Sequence, residues 1–490
     1  MGVLERSTKS YQVYKNIIYN HKNPITSRKF VVKKWSNALF IYPYKKPKKF
    51  NYYDLYPPLG LEYIATAVKE LVEKIAIIDM RYETEPISKF LHNADVIGIN
   101  INWPQQREIA LSLLDKIPKE TTVILGGIHA TEIVGDLLET NPRIDIIVRG
   151  DGEEIAIDIF SGKPLSKIDG ISYYQSGKIV HNPPKKLPKK IEIYPDRSLR
   201  RYKYQHRTPF GFSFGLDTIM SSRGCPFRCE FCTHRLNSLG ETRGWSYKSA
   251  ELVVEEIKSI SAKIVIFSDD AFTINKQRVE RICDLLISHK IKKLFAVEAR
   301  IDIANYPEIL KKMWKAGFRI IAYGIESAKD RTLQRIGKGF TIQETKEAFK
   351  ILKKYKMISM GYFIVGYIGE DEKDMLEFSS FAHSLGLDFI ILSPLRALKY
   401  SPLRKIVEST PGYHIDEKGV VFSDQYSISR IISIIRRIIN EFYTPAQYLR
   451  LIKNIISSNL IFEPAALKTF IGVLIGNLES GSKRRLLHLT

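Results

Sequence analysis

Thr218-Ile-Met-Ser-Ser-Arg-Gly-Cys-Pro-Phe-Arg-Cys-Glu-Phe-Cys-Thr-His-Arg235 sets a short strand, Thr218–Ser221, directly before a polar loop that carries three cysteines. The same order, an apolar run of strand length and then a polar or glycine position, recurs downstream. Ile264–Phe267, Phe295–Ala299, Ile320–Gly324, Gly361–Val365 and Phe389–Leu392 read as further strands. Arg223, Ser268–Asp270, Arg300, Glu326 and Gly366 follow the earlier members of the series. Ala250–Ile260, Lys276–Ser288 and Ile342–Lys354 have helical periodicity and lie between strands. About six βα units in roughly 180 residues predict a partial (β/α)6 barrel over 216–400, with its chemistry at the strands' carboxyl ends.

Upstream, a second alternation occupies 36–180. Ala38–Tyr42, Ile75–Asp79, Val96–Ile101, Val123–Leu125 and Ile144–Val148 read as strands, and Gly60–Leu71, Gln106–Leu114 and Ala130–Leu138 as helices. Such an order predicts an α/β domain with a doubly wound parallel sheet, whose ligands bind beyond the carboxyl ends of the strands. The segments expected there are Asn100–Pro104, Gly126–Thr131 and Arg149–Glu154. The rhythm breaks over 160–215. Asn182-Pro-Pro-Lys-Lys-Leu-Pro-Lys-Lys190 reads as a connector, so 181–215 is expected to link the two domains. Residues 1–35 read as a basic lead-in and 401–490 as a helical C-terminal region. Along Ile428–Phe442 the polar positions fall on one helical face and isoleucines fill the other; Thr444-Pro-Ala-Gln447 then has the form of a capping box.

The chain has 490 residues, too many for one core, and 26% of them are charged. No apolar run reaches the 18–20 residues or so that a membrane span needs, and the first residues lack the apolar stretch of a secretory signal. A cytoplasmic location is therefore the expectation. The formal charge of +22 is compatible with nucleic acid, an anionic membrane surface, anionic substrates or a solvated basic face. Of four cysteines, three lie within eight residues, which argues against a disulfide framework and for a metal or redox site. Cys283 sits in an apolar helical pattern and reads as a core residue.

Cysteines at i, i+4 and i+7 can bind three irons of a cubane cluster and leave the fourth open, which is the site that S-adenosylmethionine (SAM) needs for chelation. The competing reading is zinc on three cysteines and His234, although zinc sites generally draw on a second distant pair of ligands.

The CxxxCxxC spacing, with Phe231 just before the last cysteine, resembles the signature of the radical SAM superfamily. The resemblance implies a [4Fe–4S] cluster on Cys225, Cys229 and Cys232, and SAM as a second cofactor. Phe267-Ser-Asp-Asp-Ala-Phe272 resembles the segment near the SAM amino group, which assigns Ser268, Asp269 and Asp270 to it. Arg300 resembles the polar third-strand position, and Glu326 in Tyr323-Gly-Ile-Glu-Ser327 the fourth-strand residue near the ribose. Phe363-Ile-Val-Gly-Tyr-Ile-Gly-Glu370, with Gly366, resembles the adenine motif but carries Tyr367-Ile368 where a Gly-x-Pro-Gly-Glu form is commoner. The N-terminal half resembles the cobalamin-binding domain of one radical SAM subgroup, through Tyr56–Glu62, Asp95–Ile99, Leu125–Thr131 and Arg149–Glu153. It implies cobalamin contacts from Asn100, Gly126, Gly127, His129 and Gly152. An Asp-x-His-x-x-Gly motif is missing, so either cobalt binds without a protein histidine or the domain has lost cobalamin. His129 is read equally as a loop residue near the corrin or as plain structure.

The resemblance to this subgroup implies hydrogen abstraction from an unactivated carbon and an external one-electron reductant. Modification of an isoprenoid lipid, with ring formation or rearrangement, is the substrate expectation. It draws on the amphipathic, basic C-terminal stretches Ala465–Leu478 and Lys483–Leu487, which also raise the prospect of membrane-surface contact. A cobalamin-dependent C-methyltransferase is the first alternative. A basic nucleic-acid-binding protein with a structural cluster is the second, although no specific nucleic acid is expected.

Overall fold

The computed structural model describes residues 35–44, 56–207, 213–237 and 239–460. The lead-in before Trp35, the lysine run at 45–49 and the stretches after 460 lie outside the described residues, as do the expectations resting on them.

The first sheet is built from β1 (Asn37–Tyr42), β2 (Lys74–Asp79), β3 (Val96–Asn100), β4 (Thr122–Gly126), β5 (Ile146–Val148), β6 (Ile171–Gln175) and β7 (Lys178–His181), in the order 2-1-3-4-5-6-7. Its first five strands are parallel. Alternation decides which residues go where. Ala38, Phe40, Val96, Ile124 and Ile146 pack under the helices Leu59–Val68 and Glu153–Phe160. Leu39, Ile41, Ile97, Ile99, Val123 and Leu125 pack on the other face, under Pro104–Leu114 and Val134–Thr140. Both faces are covered, which is the doubly wound arrangement expected.

Two expectations change here. The helix expected over Ala130–Leu138 is two, Ile128–Glu132 and Val134–Thr140, parted at Ile133, which leaves the helical region at ψ 27°. The break in rhythm after 160 is partly an antiparallel hairpin: β6 and β7 meet at a Ser176–Gly177 turn with both φ positive and extend the sheet past β5.

The second sheet runs β16-β15-β14-β13-β12-β9-β8, from β8 (Gln205–Arg207), β9 (Ser213–Ile219), β12 (Ile264–Phe267), β13 (Leu294–Ala299), β14 (Phe318–Glu326), β15 (Ile358–Val365) and β16 (Phe389–Pro394). The two-residue strands β10 (Ser222–Arg223) and β11 (Ser246–Tyr247) form a separate ladder between β9 and β12. Consecutive strands neighbour one another throughout, and β9 and β12–β16 are mutually parallel, so the sheet is the predicted partial barrel. The first strand begins earlier than expected and stops at Ile219, because Ser221 turns to accept a bond from Lys248 N. Val265, Phe267, Phe295, Val297, Ile321, Tyr323, Phe363 and Val365 pack outward beneath the helices. The intervening Ser268, Glu298, Arg300, Glu326 and Tyr362 therefore face the concave interior.

The helix Ile428–Phe442 buries Ile431, Ile434, Ile435, Ile438 and Phe442 in the barrel's outer core, so its apolar face serves its own domain and not a membrane. Thr444 caps the next helix, Pro445–Ser457, as expected. Gln447 does not complete a capping box, for its amide nitrogen donates to Leu387 O (2.9 Å) and Asp388 O (3.0 Å). Among the described residues no helix is long and apolar enough to cross a membrane.

Candidate active site

The cysteine loop leaves and re-enters the structure through the antiparallel β10–β11 ladder, and so is a closed excursion above β9. Gly224 opens it at φ +79°, and a Cβ there would lie 2.1 Å from Gly244 O, so a side chain is excluded. Cys225 N donates to His234 O (3.1 Å), Cys232 N to Cys229 O (3.1 Å), and His234 N to Cys232 Sγ (3.4 Å). Cys229 is buried in an apolar cluster that includes Phe227, Phe231, Ile336 and Tyr367.

All three are free thiols. Burial pushes Cys225 up from the usual thiol range and Cys232 up to about 12, so without a cation these groups stay protonated at neutral pH. Three sulfurs on one loop, partly walled by apolar side chains and one of them accepting a backbone N–H, are a donor set suited to an iron–sulfur cluster. Among the described residues no three His, Cys, Asp or Glu side chains are placed to hold a single metal ion. His234, two residues beyond the last cysteine, has its Nδ1 2.8 Å from Asp270 Oδ1.

The Asp269-Asp270 pair divides its work. Asp269, fully buried, accepts from Ser221 N (2.7 Å), Ser221 Oγ (2.6 Å) and Ser222 Oγ (2.5 Å), and braces the approach to the loop. Both of its carboxylate oxygens are taken up by these bonds. Asp270 accepts from Gly224 N (2.7 Å) and holds His234, and Ser268 is exposed at the strand end. Arg300 lies with its guanidinium 3.8 Å from the Phe227 ring centre and donates to Lys338 O (2.6 Å), while its Nε is buried without a partner. Glu326 sits at a register shift with φ +72°, a strained backbone for a residue with a side chain, and accepts from Lys338 Nζ (2.9 Å). Gly366, at φ +83°, turns the chain after β15, but a Cβ there would meet Ile431, so it abuts the C-terminal helix. The departure at Tyr367 places that ring beneath the cysteine loop, 1% exposed.

Three interior residues were missed by sequence reading. Lys338, between two left-handed glycines, joins Arg300 to Glu326. Glu298 accepts from Tyr362 Oη (3.0 Å). Its place two residues before Arg300, on the same face of β13, was the available signal.

In the first sheet, the strand order reverses at β1, and the crevice lies between the carboxyl ends of β1 and β3. Asn100 ends β3 there with its Oδ1 buried and unpartnered. Gly126 ends β4 and Gly127 follows it, and a Cβ on Gly127, at φ +110°, would lie 2.6 Å from Ile101 O. Trp103 and Ile128 stand 55% and 53% exposed beside this cradle. An orphaned amide oxygen and two bare apolar side chains at these strand ends fit a large, mostly apolar macrocycle with amide arms. His129 is half-buried, its Nδ1 3.4 Å from Glu132 Oε2. Gly152 faces Ile64, whose Cδ1 would lie 2.9 Å from a Cβ, and so serves helix packing. Its neighbours Asp151 and Glu153 instead reach across to Arg223 of the second domain.

Two family models match the chain: the radical SAM superfamily over residues 219–382 and the B12 binding domain over 50–159. An uncharacterized methyltransferase of Pyrococcus horikoshii is 31% identical over 352 residues, 68% of this chain and 74% of its own. The anaerobic magnesium-protoporphyrin IX monomethyl ester cyclase of Cereibacter sphaeroides is 25% identical over 74% of this chain and 58% of its own. The hopanoid C-3 methylase of Methylococcus capsulatus is 26% identical over 60% and 58%. Among solved structures, the radical SAM methyltransferase TsrM of Kitasatospora setae, with cobalamin and a [4Fe–4S] cluster bound, superposes with a TM-score of 0.65. At 16% identity over 84% of this chain and 90% of TsrM, that is a likeness of fold.

Proposed function

This chain belongs to the radical SAM superfamily and carries a B12-binding domain ahead of the barrel, and from that membership we propose that it is a cobalamin-dependent methyltransferase acting on a carbon of an organic substrate. The observation that carries the proposal is the direct contact between the two ligand-binding edges: Arg223, two residues before Cys225, is paired with Asp151 Oδ2 at 2.9 Å from the loop that follows β5. A corrin on the first edge and SAM on the second would then share one space.

Cys225, Cys229 and Cys232 would hold the cluster, which supplies the electron that cleaves SAM. The corrin, when bound, supplies a carrier for the methyl group. Asp270 orients the loop through Gly224 and His234. Arg300, Glu326 and Lys338 offer a guanidinium, a carboxylate and an ammonium to the ends of SAM, whose carboxylate, hydroxyl and amino groups need such partners. Glu298 and Tyr362 line the interior with a polar pair. Ring formation on a lipid, the sequence-based expectation, is set aside in favour of methyl transfer, the reaction named for the Pyrococcus horikoshii and Methylococcus capsulatus relatives and for TsrM. A lipid as the methyl acceptor keeps one observation in its support, the exposed stripe Leu449, Ile452 and Ile456 on the last described helix.

The test uses the full chain, reconstituted with iron, sulfide and hydroxocobalamin under anaerobic conditions and supplied with SAM and titanium(III) citrate. Release of both 5′-deoxyadenosine and S-adenosylhomocysteine, the latter only with cobalamin present, is the expected result. S-adenosylhomocysteine at background level, with and without cobalamin, would overturn the methyltransferase reading. Flotation with isoprenoid-lipid vesicles, lost in a Leu449→Ser/Ile452→Ser variant, is what the lipid reading requires.

A further inference from the structure

Between the two domains lies a group of charges that the cofactor-holding residues do not use. Arg223 Nη1 lies 2.9 Å from Asp151 Oδ2 and 3.1 Å from Glu153 Oε2, and its Nη2 also pairs with Glu153. Arg243, at the far end of the cysteine loop, pairs with the same Asp151 oxygen. All four side chains are largely buried. The Arg223 guanidinium also stands 5.0 Å from the ring centre of Tyr63, on the helix Leu59–Val68. Tyr63 in turn meets the fully buried Lys248–Glu256 pair. Burial raises the Asp151 carboxyl, but Arg223 and Arg243 outweigh it and hold the group below its ordinary value. Asp151, Arg223 and Arg243 are therefore charged together in a place where apolar side chains would join two domains at lower desolvation cost.

Position distinguishes this group from ordinary domain glue. The Asp151 loop is tied to the corrin-side cradle, since Gly150 N donates to Thr131 Oγ1 (3.4 Å) and Thr131 Oγ1 to Gly127 O (2.9 Å). On the other side, Arg223 leads into Gly224, which is gripped by Asp270 and has no room for a Cβ, and then into Cys225. Contacts without slack thus run from the Gly127 cradle to the first cluster ligand. An arginine held by two carboxylates also fixes orientation as well as distance, because its donors lie in one rigid plane.

We infer that Asp151, Glu153 and Arg223 form a positioning clamp that sets the separation between the corrin-binding edge and the SAM-binding cluster loop. This inference rests on the proposed methyl transfer. Methyl transfer from SAM to the corrin needs both edges at the correct separation, whereas reductive cleavage of SAM needs only the cluster side. In that transfer the methyl would leave the sulfonium as CH3+, taking its electron pair from a corrin that titanium(III) had reduced, and S-adenosylhomocysteine would depart.

The experiment compares the wild-type chain with D151N/E153Q, E153Q and R223K, each reconstituted with iron, sulfide and hydroxocobalamin and supplied with SAM and titanium(III) citrate. In the double variant, cobalamin-dependent S-adenosylhomocysteine should fall by about tenfold to a hundredfold, the scale of a misplacement near 1 Å. Its 5′-deoxyadenosine output should stay within about twofold, and R223K should retain more methyl transfer than the double variant. Electron paramagnetic resonance supplies a second reading: spin–spin broadening between cob(II)alamin and the reduced cluster, present in the wild type, should weaken in the double variant. Equal loss of both products, or no loss of either with the broadening unchanged, would overturn the clamp. If the double variant does not fold, E153Q, which leaves Asp151 paired, is judged by the same criteria. Should the wild type release no cobalamin-dependent S-adenosylhomocysteine, the methyltransferase reading fails, and the broadening alone decides the clamp.

Discussion

The two sheets present their carboxyl edges to a common region, yet they are furnished differently. The barrel edge carries charges committed to one another, to hydroxyls or to backbone: Asp269 to Ser221 and Ser222, Asp270 to His234, Glu326 to Lys338, Arg300 to Lys338 O. The edge of the first sheet offers an unpartnered amide oxygen at Asn100 and the exposed faces of Trp103 and Ile128. The difference follows the size and charge of what each would hold. A small zwitterion with a sulfonium centre is fixed by a few directed charges, and a broad macrocycle by area and backbone. Ligand identity can thus be argued from how an edge is furnished, even when both edges belong to parallel α/β sheets.

The contrast can be broken most severely at the cluster. Cys229→Ala removes the most deeply buried of the three thiols in the loop and should abolish 5′-deoxyadenosine formation, with iron content well below wild type. Wild-type iron and activity in that variant would remove the basis of the comparison. Next comes the charged edge. Lys338→Met leaves the Glu326 carboxylate without its cation and should weaken SAM binding by about tenfold to a hundredfold, as loss of a buried charged partner does. Equilibrium dialysis with labelled SAM measures it, and cobalamin affinity should not change. On the apolar edge, Trp103→Ala/Ile128→Ser removes contact area and should lower hydroxocobalamin affinity by roughly tenfold, about 1–2 kcal/mol. SAM affinity should be untouched, and a loss on the SAM side instead would reverse the assignment of the two edges.

The smallest effect concerns Glu370, beneath the barrel edge, where burial raises the carboxyl from 4.5 to about 7 despite bonds from Ser327 and Thr332. Between those values the folded chain binds more protons at this site than the unfolded chain. Its contribution to stability is therefore full below about 4.5 and declines as pH rises towards 7 and beyond. The thermal midpoint of the wild type should fall across that window, and Glu370→Gln should flatten the slope. Parallel slopes in the two proteins would show that Glu370 does not titrate there.

Much of this arrangement was legible in the chain. Strand and helix periods located both sheets, and the i, i+4, i+7 cysteines located the loop, because each signal is confined to a few consecutive residues. The β6–β7 hairpin was obscured by the Pro- and Lys-rich run after it, and its pairing to β5 has no local signature. The roles of Asp269 and Asp270 could not be separated either. Adjacent side chains on one segment point opposite ways, and only the location of Ser221, 48 residues away, shows which is consumed.

The order of strands and helices and the position of the cysteine loop were written in local pattern and connectivity. That the amphipathic helix Ile428–Phe442 covers its own barrel, that Lys338 answers Glu326, and that Arg223 reaches Asp151 some 72 residues back emerged with the packing of the whole chain. Each of these is a pairing across long chain separations. Many such pairings suit a given charge or apolar stripe equally well, and the packing of the two sheets selects among them.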